Sequence, residues 1–182
     1  MELPKFKYHP DPIKTGSIVK SDEVCECCNK ERGFVYRGSM YTRRRPEHIC
    51  PWCIANGEAR KMFEIEFSSI MPAVIDPKNQ VTVNCPDSAF EELLYRTPGF
   101  SSYQEIEWPN HCQDFCMFHG LATIGDIQKI SEEEEKRLYK TTWMDEGELR
   151  ECQKGNPEEE LHYFFKFACS KCGEIMLQVD PD

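Results

Sequence analysis

Hydrophobic periodicity along this chain is short-ranged and often broken by turn residues. Phe6–Val24, FKYHPDPIKTGSIVKSDEV, is interrupted by Pro10, Pro12 and Gly16, which predicts an irregular arm ending in a short strand at Ile18–Val19. Gly33–Tyr41, GFVYRGSMY, predicts a β-hairpin turning near Arg37–Gly38. From Ile54 to Phe63, Ala, Glu, Arg, Lys and Met favour helix. Phe67–Asp87 is a mixed connector with a short strand at Gln80–Asn84. Ser88 and Glu91 make a capping box, Phe90, Leu93 and Leu94 share a helical face, and Thr97-Pro98-Gly99 ends that helix. LATIGDIQKI fits strand or helix equally. Ser131 and Glu134 open another helix, whose acidic run Glu132–Glu135 complements the dipole. Met144–Glu160 is partly helical and then loop, and the closing residues 161–180 predict two strands folded around Cys169–Gly173.

The 182 residues suffice for one domain or two small lobes, and 40% hydrophobic content is adequate for a core. No run of ~18 apolar residues is present to span a bilayer. MELPKFKYHPDP lacks the apolar centre of a signal peptide. The expectation is a cytoplasmic protein in a reducing setting, where disulfides are disfavoured. Eleven cysteines then need another explanation. Eight fall into close pairs, Cys25/Cys28, Cys50/Cys53, Cys112/Cys116 and Cys169/Cys172, leaving Cys27, Cys85 and Cys152. Eight makes two tetrahedral sets of four, the number structural zinc prefers.

In the first set, Cys25-x-x-Cys28 and Cys50-x-x-Cys53 are separated by the predicted hairpin. Knuckle, hairpin, then a ligand pair at a helix start is the order of a treble-clef zinc finger. Cys50-Pro51-Trp52-Cys53 alone resembles a redox dithiol, but such a motif needs a preceding βαβ unit and no second pair upstream. Metal ligation is the preferred reading, and Cys27 reads as a spectator thiol. The second set joins WPNHCQDFCMFHG to CSKCG. Cys172-Gly173 is a knuckle signature because glycine turns tightly behind the ligand. Cys112 and Cys116 complete the set, with His111 the rival fourth ligand. His111, Cys112 and Asp114 also invite a thiol- or metal-dependent enzyme, yet adjacent residues rarely form a triad and a catalytic ion needs an open position. A closed structural site is preferred, and no catalytic residue is assigned.

Formal charge is -10, split as +4 over residues 1–62 and -14 over residues 63–182. Two four-thiolate zinc centres would take the total to roughly -14, which disfavours strong phosphate-backbone binding. Arg43-Arg44-Arg45 is a basic loop that reads mostly as solvated surface, with nucleic-acid binding as its alternative. Trp108, Phe115 and Phe118 read as the dry surroundings of the second site. The stiff His9-Pro10-Asp11-Pro12 segment is expected to wrap across the zinc lobe with Phe6 and Tyr8 buried.

FKYHPDPIKTGSI, SDEVCECC, RGFVYRG, ICPWCIANGEA, TPGFSSYQEIEWPNHCQDFCMF and CSKCG together resemble the CbrC family of bacterial proteins over nearly the whole chain. The resemblance implies a bacterial, intracellular protein of unestablished molecular function, associated by name with colicin tolerance. It places the family's cysteines on Cys25, Cys28, Cys50, Cys53, Cys112, Cys169 and Cys172. Some such proteins carry Cys where this chain has His111, so His111 and Cys116 both stay open as the fourth ligand. The reading is an α+β protein of two zinc-stapled lobes, with two Zn2+ ions. Residues 1–67 form a treble-clef-like lobe, 68–107 a helical connector and 108–182 a ribbon-like lobe, integrated as one domain. Its expected function is a non-enzymatic scaffold for a protein partner.

Overall fold

The computed structural model describes residues 2–69, 84–104, 106–142 and 144–180, and it is a mixed α+β structure. Strand β1 (Ile18–Lys20) pairs antiparallel with β2 (Phe34–Tyr36). This replaces the hairpin expected within 33–41. Gly38 serves a close approach and not a hairpin turn: a Cβ there would lie 2.5 Å from the Gly99 carbonyl oxygen and 2.6 Å from the Tyr36 hydroxyl. Arg37 N–H donates to Ser17, so the strand pairs upstream, and Tyr41 bridges to Glu66.

The single helix expected over 54–63 is two, α1 (Pro51–Ala55) and α2 (Glu58–Phe63), broken where Gly57 takes φ 76. Pro51 occupies the first turn of α1, where a missing N–H is harmless. Phe6, Ile18, Tyr36, Ile49, Ile54 and Phe67 pack with Cys25, Cys50 and Cys53 in one core. Helix α3 (Asp87–Arg96) has Pro86 at its N-cap and no side-chain cap, so the expected Ser88 box does not form. It stops at Thr97, as expected. The strand expected at 80–84 lies, apart from Asn84, outside the described residues.

In the second half, β3 (Asn110–His111) and β4 (Asp114–Phe115) form a tight hairpin. Strands β5 (Met117–Thr123), β6 (Glu160–Ala168) and β7 (Ile175–Val179) make an antiparallel sheet in that order. Helices α4 (Ile124–Ile127), α5 (Glu132–Thr141) and α6 (Glu146–Cys152) connect β5 to β6. The ambiguous LATIGDIQKI is both: strand up to Thr123, whose reciprocal capping with Asp126 starts α4. Ser131 caps α5 as expected. The Glu134 carboxylate, 3% exposed, does not complete the box; it accepts from Arg137 and from the Leu177 N–H, all at 2.7 Å. That bond ties α5 to β7. Glu134→Ala should cost about 2–3 kcal/mol, since it leaves a buried N–H and a guanidinium underbonded; urea unfolding measures it.

Side-chain alternation along β6 divides two further cores. Phe164 joins Ile127, Leu138, Leu149 and Leu177 under the helices, while Phe165 and Phe167 join Tyr8, Trp108, Phe115 and Phe118. The arm crosses between cores: Phe6 is buried in the first and Tyr8 in the aromatic one, where Phe118 N–H donates to the Tyr8 carbonyl at 2.8 Å. Among the described residues no helix is long and apolar enough to cross a membrane.

Candidate metal centres

The first centre is made by two knuckles that hydrogen-bond to each other. Asn29, at φ 51, closes the first turn by donating its N–H to the Cys25 carbonyl at 2.8 Å. Glu26 joins the knuckles: its N–H donates to the His48 carbonyl, and its carboxylate accepts from the N–H groups of Glu47 and His48. Cys50 is the N-cap of α1 and donates its own N–H to the Cys25 sulfur at 3.2 Å. The sulfurs of Cys25, Cys28, Cys50 and Cys53 lie within 4.8 Å of one another. Cys25–Cys53 is 3.9 Å and Cys28–Cys50 is 3.8 Å. A tetrahedron with metal–sulfur bonds of about 2.3 Å has an edge of about 3.8 Å, so these donors fit a single ion.

The second centre gathers His111, Cys112, Cys169 and Cys172, again within 4.8 Å. His111 and Cys112 come from the β3–β4 hairpin, Cys169 and Cys172 from the β6–β7 turn. In the latter, Gly173 at φ 79 donates its N–H to the Cys169 carbonyl. Cys112–Cys172 is 3.9 Å, and His111 Nδ1 lies 3.3 Å from both sulfurs. A mixed edge of about 3.5 Å is expected when one ligand is an imidazole, which binds closer than sulfur. A metal fits here too.

Residues 3–181 match an uncharacterised protein family, UPF0167. The chain belongs to this family. It is 34% identical to UPF0167 protein PA1536 of Pseudomonas aeruginosa, over 98% of this chain and 97% of that protein. It is 39% identical to UPF0167 protein Mb2317 of Mycobacterium bovis and to UPF0167 protein MT2352 of Mycobacterium tuberculosis, over 71% of this chain and 66% of each. No solved structure matches it.

Cys116 is where this UPF0167 chain departs from the sequence expectation. His111 occupies the corner assigned to Cys116, because the cysteine side chain turns inward. Cys116 is fully buried against the aromatic core, its sulfur lies 3.7 Å from that of Met176, and its carbonyl accepts from Trp108 Nε1. Burial pushes its thiol up to about 12. The leftover thiols Cys27, Cys85 and Cys152 lie outside both tetrads and are each raised, chiefly by burial.

Crowding sets the electrostatics of the tetrads. Hydrogen bonds from the Cys50 and Cys53 thiols draw Cys25 far below the ordinary range, and their bonds to Cys25 raise Cys50 to about 11 and Cys53 higher still. In the second centre, burial would raise Cys169, but N–H bonds from Cys172 and Lys171 overcome it and bring it to about 6. Cys112 is pushed up to about 11, first by its bond to Cys172. Crowding thus holds Cys50, Cys53 and Cys112 protonated, and a divalent cation is what would stabilise their thiolates. The centres differ in access: three of the first four ligands are buried, whereas Cys112 and Cys172 are exposed.

Two features escaped the sequence reading. Arg32 hydrogen-bonds the Cys28 sulfur, which raises its own pKa, and its guanidinium lies 5.5 Å from the Trp52 ring centre. A cation four residues after a ligand and an aromatic between two others were the available signals. The hairpin turn is the second: Cys112 and Gln113 take φ 53 and 59, a turn that ordinarily uses Asn-Gly. Gln113→Gly should relieve the left-handed strain and stabilise the protein by up to about 1 kcal/mol. Thermal unfolding with an unchanged metal count checks this.

Proposed function

We propose that the chain is a zinc-binding scaffold that engages another protein, of the kind its likeness to the colicin-tolerance-associated CbrC family implies. The observation that carries the reading is the pair of four-donor tetrads, each with sulfur spacings suited to one tetrahedral ion. Thiolate and imidazole donors in tetrahedral sets favour zinc among abundant divalent ions. Four protein ligands close the coordination sphere, which suits structure more than catalysis. The knuckle–strand–knuckle–helix order of the first half supports a treble-clef-like lobe over 1–67. The hairpin and sheet turn support a ribbon-like lobe over 108–182, with 68–107 as connector.

X-ray absorption at the zinc edge tests the closed-site reading. The expected average shell is mostly sulfur with one nitrogen among eight donors, and no oxygen. A bound water at the second centre would contradict the scaffold and favour a metal- or thiol-dependent enzyme there.

A second reading, nucleic-acid binding near the first centre, draws on a cleft of about 370 Å3 lined by Arg37, Arg45 and His48. The net charge of -10 weighs against it. A mobility shift that weakens with salt and is lost in the Arg43/Arg44/Arg45 triple alanine would favour it over the scaffold.

A further inference from the structure

Neither metal centre absorbs the His9-Pro10-Asp11-Pro12 arm, and the residues just after it wall a cleft of about 190 Å3. Its floor is aromatic: Phe100 and Phe118 stack with centroids 4.0 Å apart. Lys14 and Thr15 line it from the arm, His119 from β5 and Glu160 from β6. His119 lies at a bulge, where the register of β5 against β6 skips from Phe118 to Gly120. Such bulges re-aim a side chain out of the ladder.

The arm fixes the polarity of one wall. The Pro98 carbonyl can only accept, so the 2.7 Å contact to His9 Nδ1 places the proton on that nitrogen. Nε2 is then a bare acceptor, and the Thr15 hydroxyl 2.7 Å away donates to it. Lone pairs are what Thr15 Oγ1 has left to offer a ligand. Hydroxyl, imidazole and carbonyl in a row also resemble an activated nucleophile. Burial, however, lowers His9 to about 4, which makes it a poor base near neutral pH. The chain of bonds orients an acceptor and does not drive a reaction.

We propose that this cleft binds a small zwitterion of the α-amino-acid kind. Its ammonium donates to Thr15 Oγ1 and the Glu160 carboxylate, and its carbon atoms rest against the aromatic floor. Its carboxylate pairs with the Lys14 ammonium. His119, lowered by burial and then by Lys166 and Lys14, stays uncharged and does not compete with the ligand's ammonium. Drug-sized sites begin at about 300 Å3, so the volume restricts the ligand to a few heavy atoms.

The test is 1H–15N NMR of the full-length protein titrated with glycine, alanine and serine. Each is matched by an amine lacking the carboxylate and an acid lacking the ammonium. The expected result is saturable shifts at the Thr15, His119 and Gly120 amides with at least one amino acid. Removing either charged end, or making Glu160→Gln or Thr15→Val, should weaken binding at least about tenfold while the remaining spectrum stays native. The proposal is overturned if no amino acid gives saturable shifts. It is equally overturned if an amine or acid alone binds as tightly, or if both folded variants keep wild-type affinity.

Discussion

Removing metal from the reduced protein with a strong chelator should unfold the lobe around Cys25, Cys28, Cys50 and Cys53. The strands there are three residues long and the helices five and six, too short to persist on propensity alone. Their core includes the ligands themselves, since Cys25, Cys50 and Cys53 pack among Ile18, Tyr36, Ile49 and Ile54. Zinc in small finger domains contributes apparent binding energies of about 10–16 kcal/mol, as large as the whole stability of a typical domain. Without the ion, Cys50 and Cys53 retain their protons and share them with the Cys25 sulfur, so the two knuckles are held together only by weak sulfur hydrogen bonds. Far-ultraviolet circular dichroism should lose signal in step with chelation and recover on adding zinc. An unchanged spectrum after verified metal removal would contradict the prediction. The exposed second centre should lose its ion first, giving two-phase release.

Phe118→Ala should be the most damaging single apolar truncation in the second half. Phe118 is 2% exposed and meets the rings of Phe100, Trp108, Phe165 and Phe167 at centroid distances of 4.0, 6.2, 5.8 and 5.2 Å. His9 meets it edge-on at 5.0 Å, so the arm also rests on this ring. Truncating a buried Phe costs about 3–5 kcal/mol, through lost transfer energy and the cavity left behind. That is a large share of the ~5–15 kcal/mol a domain has in total. Phe118→Leu should cost clearly less because it leaves a smaller void. Equilibrium unfolding in urea measures both. A cost under about 1 kcal/mol for the alanine variant would mean that the aromatic cluster is not a shared core.

The first tetrad was legible in the sequence because its information is local. A Cys-x-x-Cys turn positions two sulfurs without help from the rest of the chain, and the residues between the pairs are enough to bring the second turn back to the first, although they supply one strand and not the expected hairpin. Helix α5 was legible for the same reason, with Ser131 capping it. The second tetrad depended on distant events. Whether His111 or Cys116 reaches the ion is decided by the left-handed residues Cys112 and Gln113, which turn His111 toward the sulfurs and leave Cys116 facing Met176. Nothing in the spacing encodes that. The β1–β2 pairing was missed because Gly38 looks like a turn residue, while its actual requirement is the approach of Gly99, sixty-one positions away. The arm was half legible: burial of Phe6 and Tyr8 followed from their aromaticity, but their division between two cores is tertiary.

Native mass spectrometry of the reduced, folded protein tests the central claim most directly. Two zinc ions are expected in the wild type and in Cys116→Ser, and one in Cys50→Ser, in Cys172→Ser and in His111→Ala. A well-folded wild-type protein carrying no ion would contradict the account.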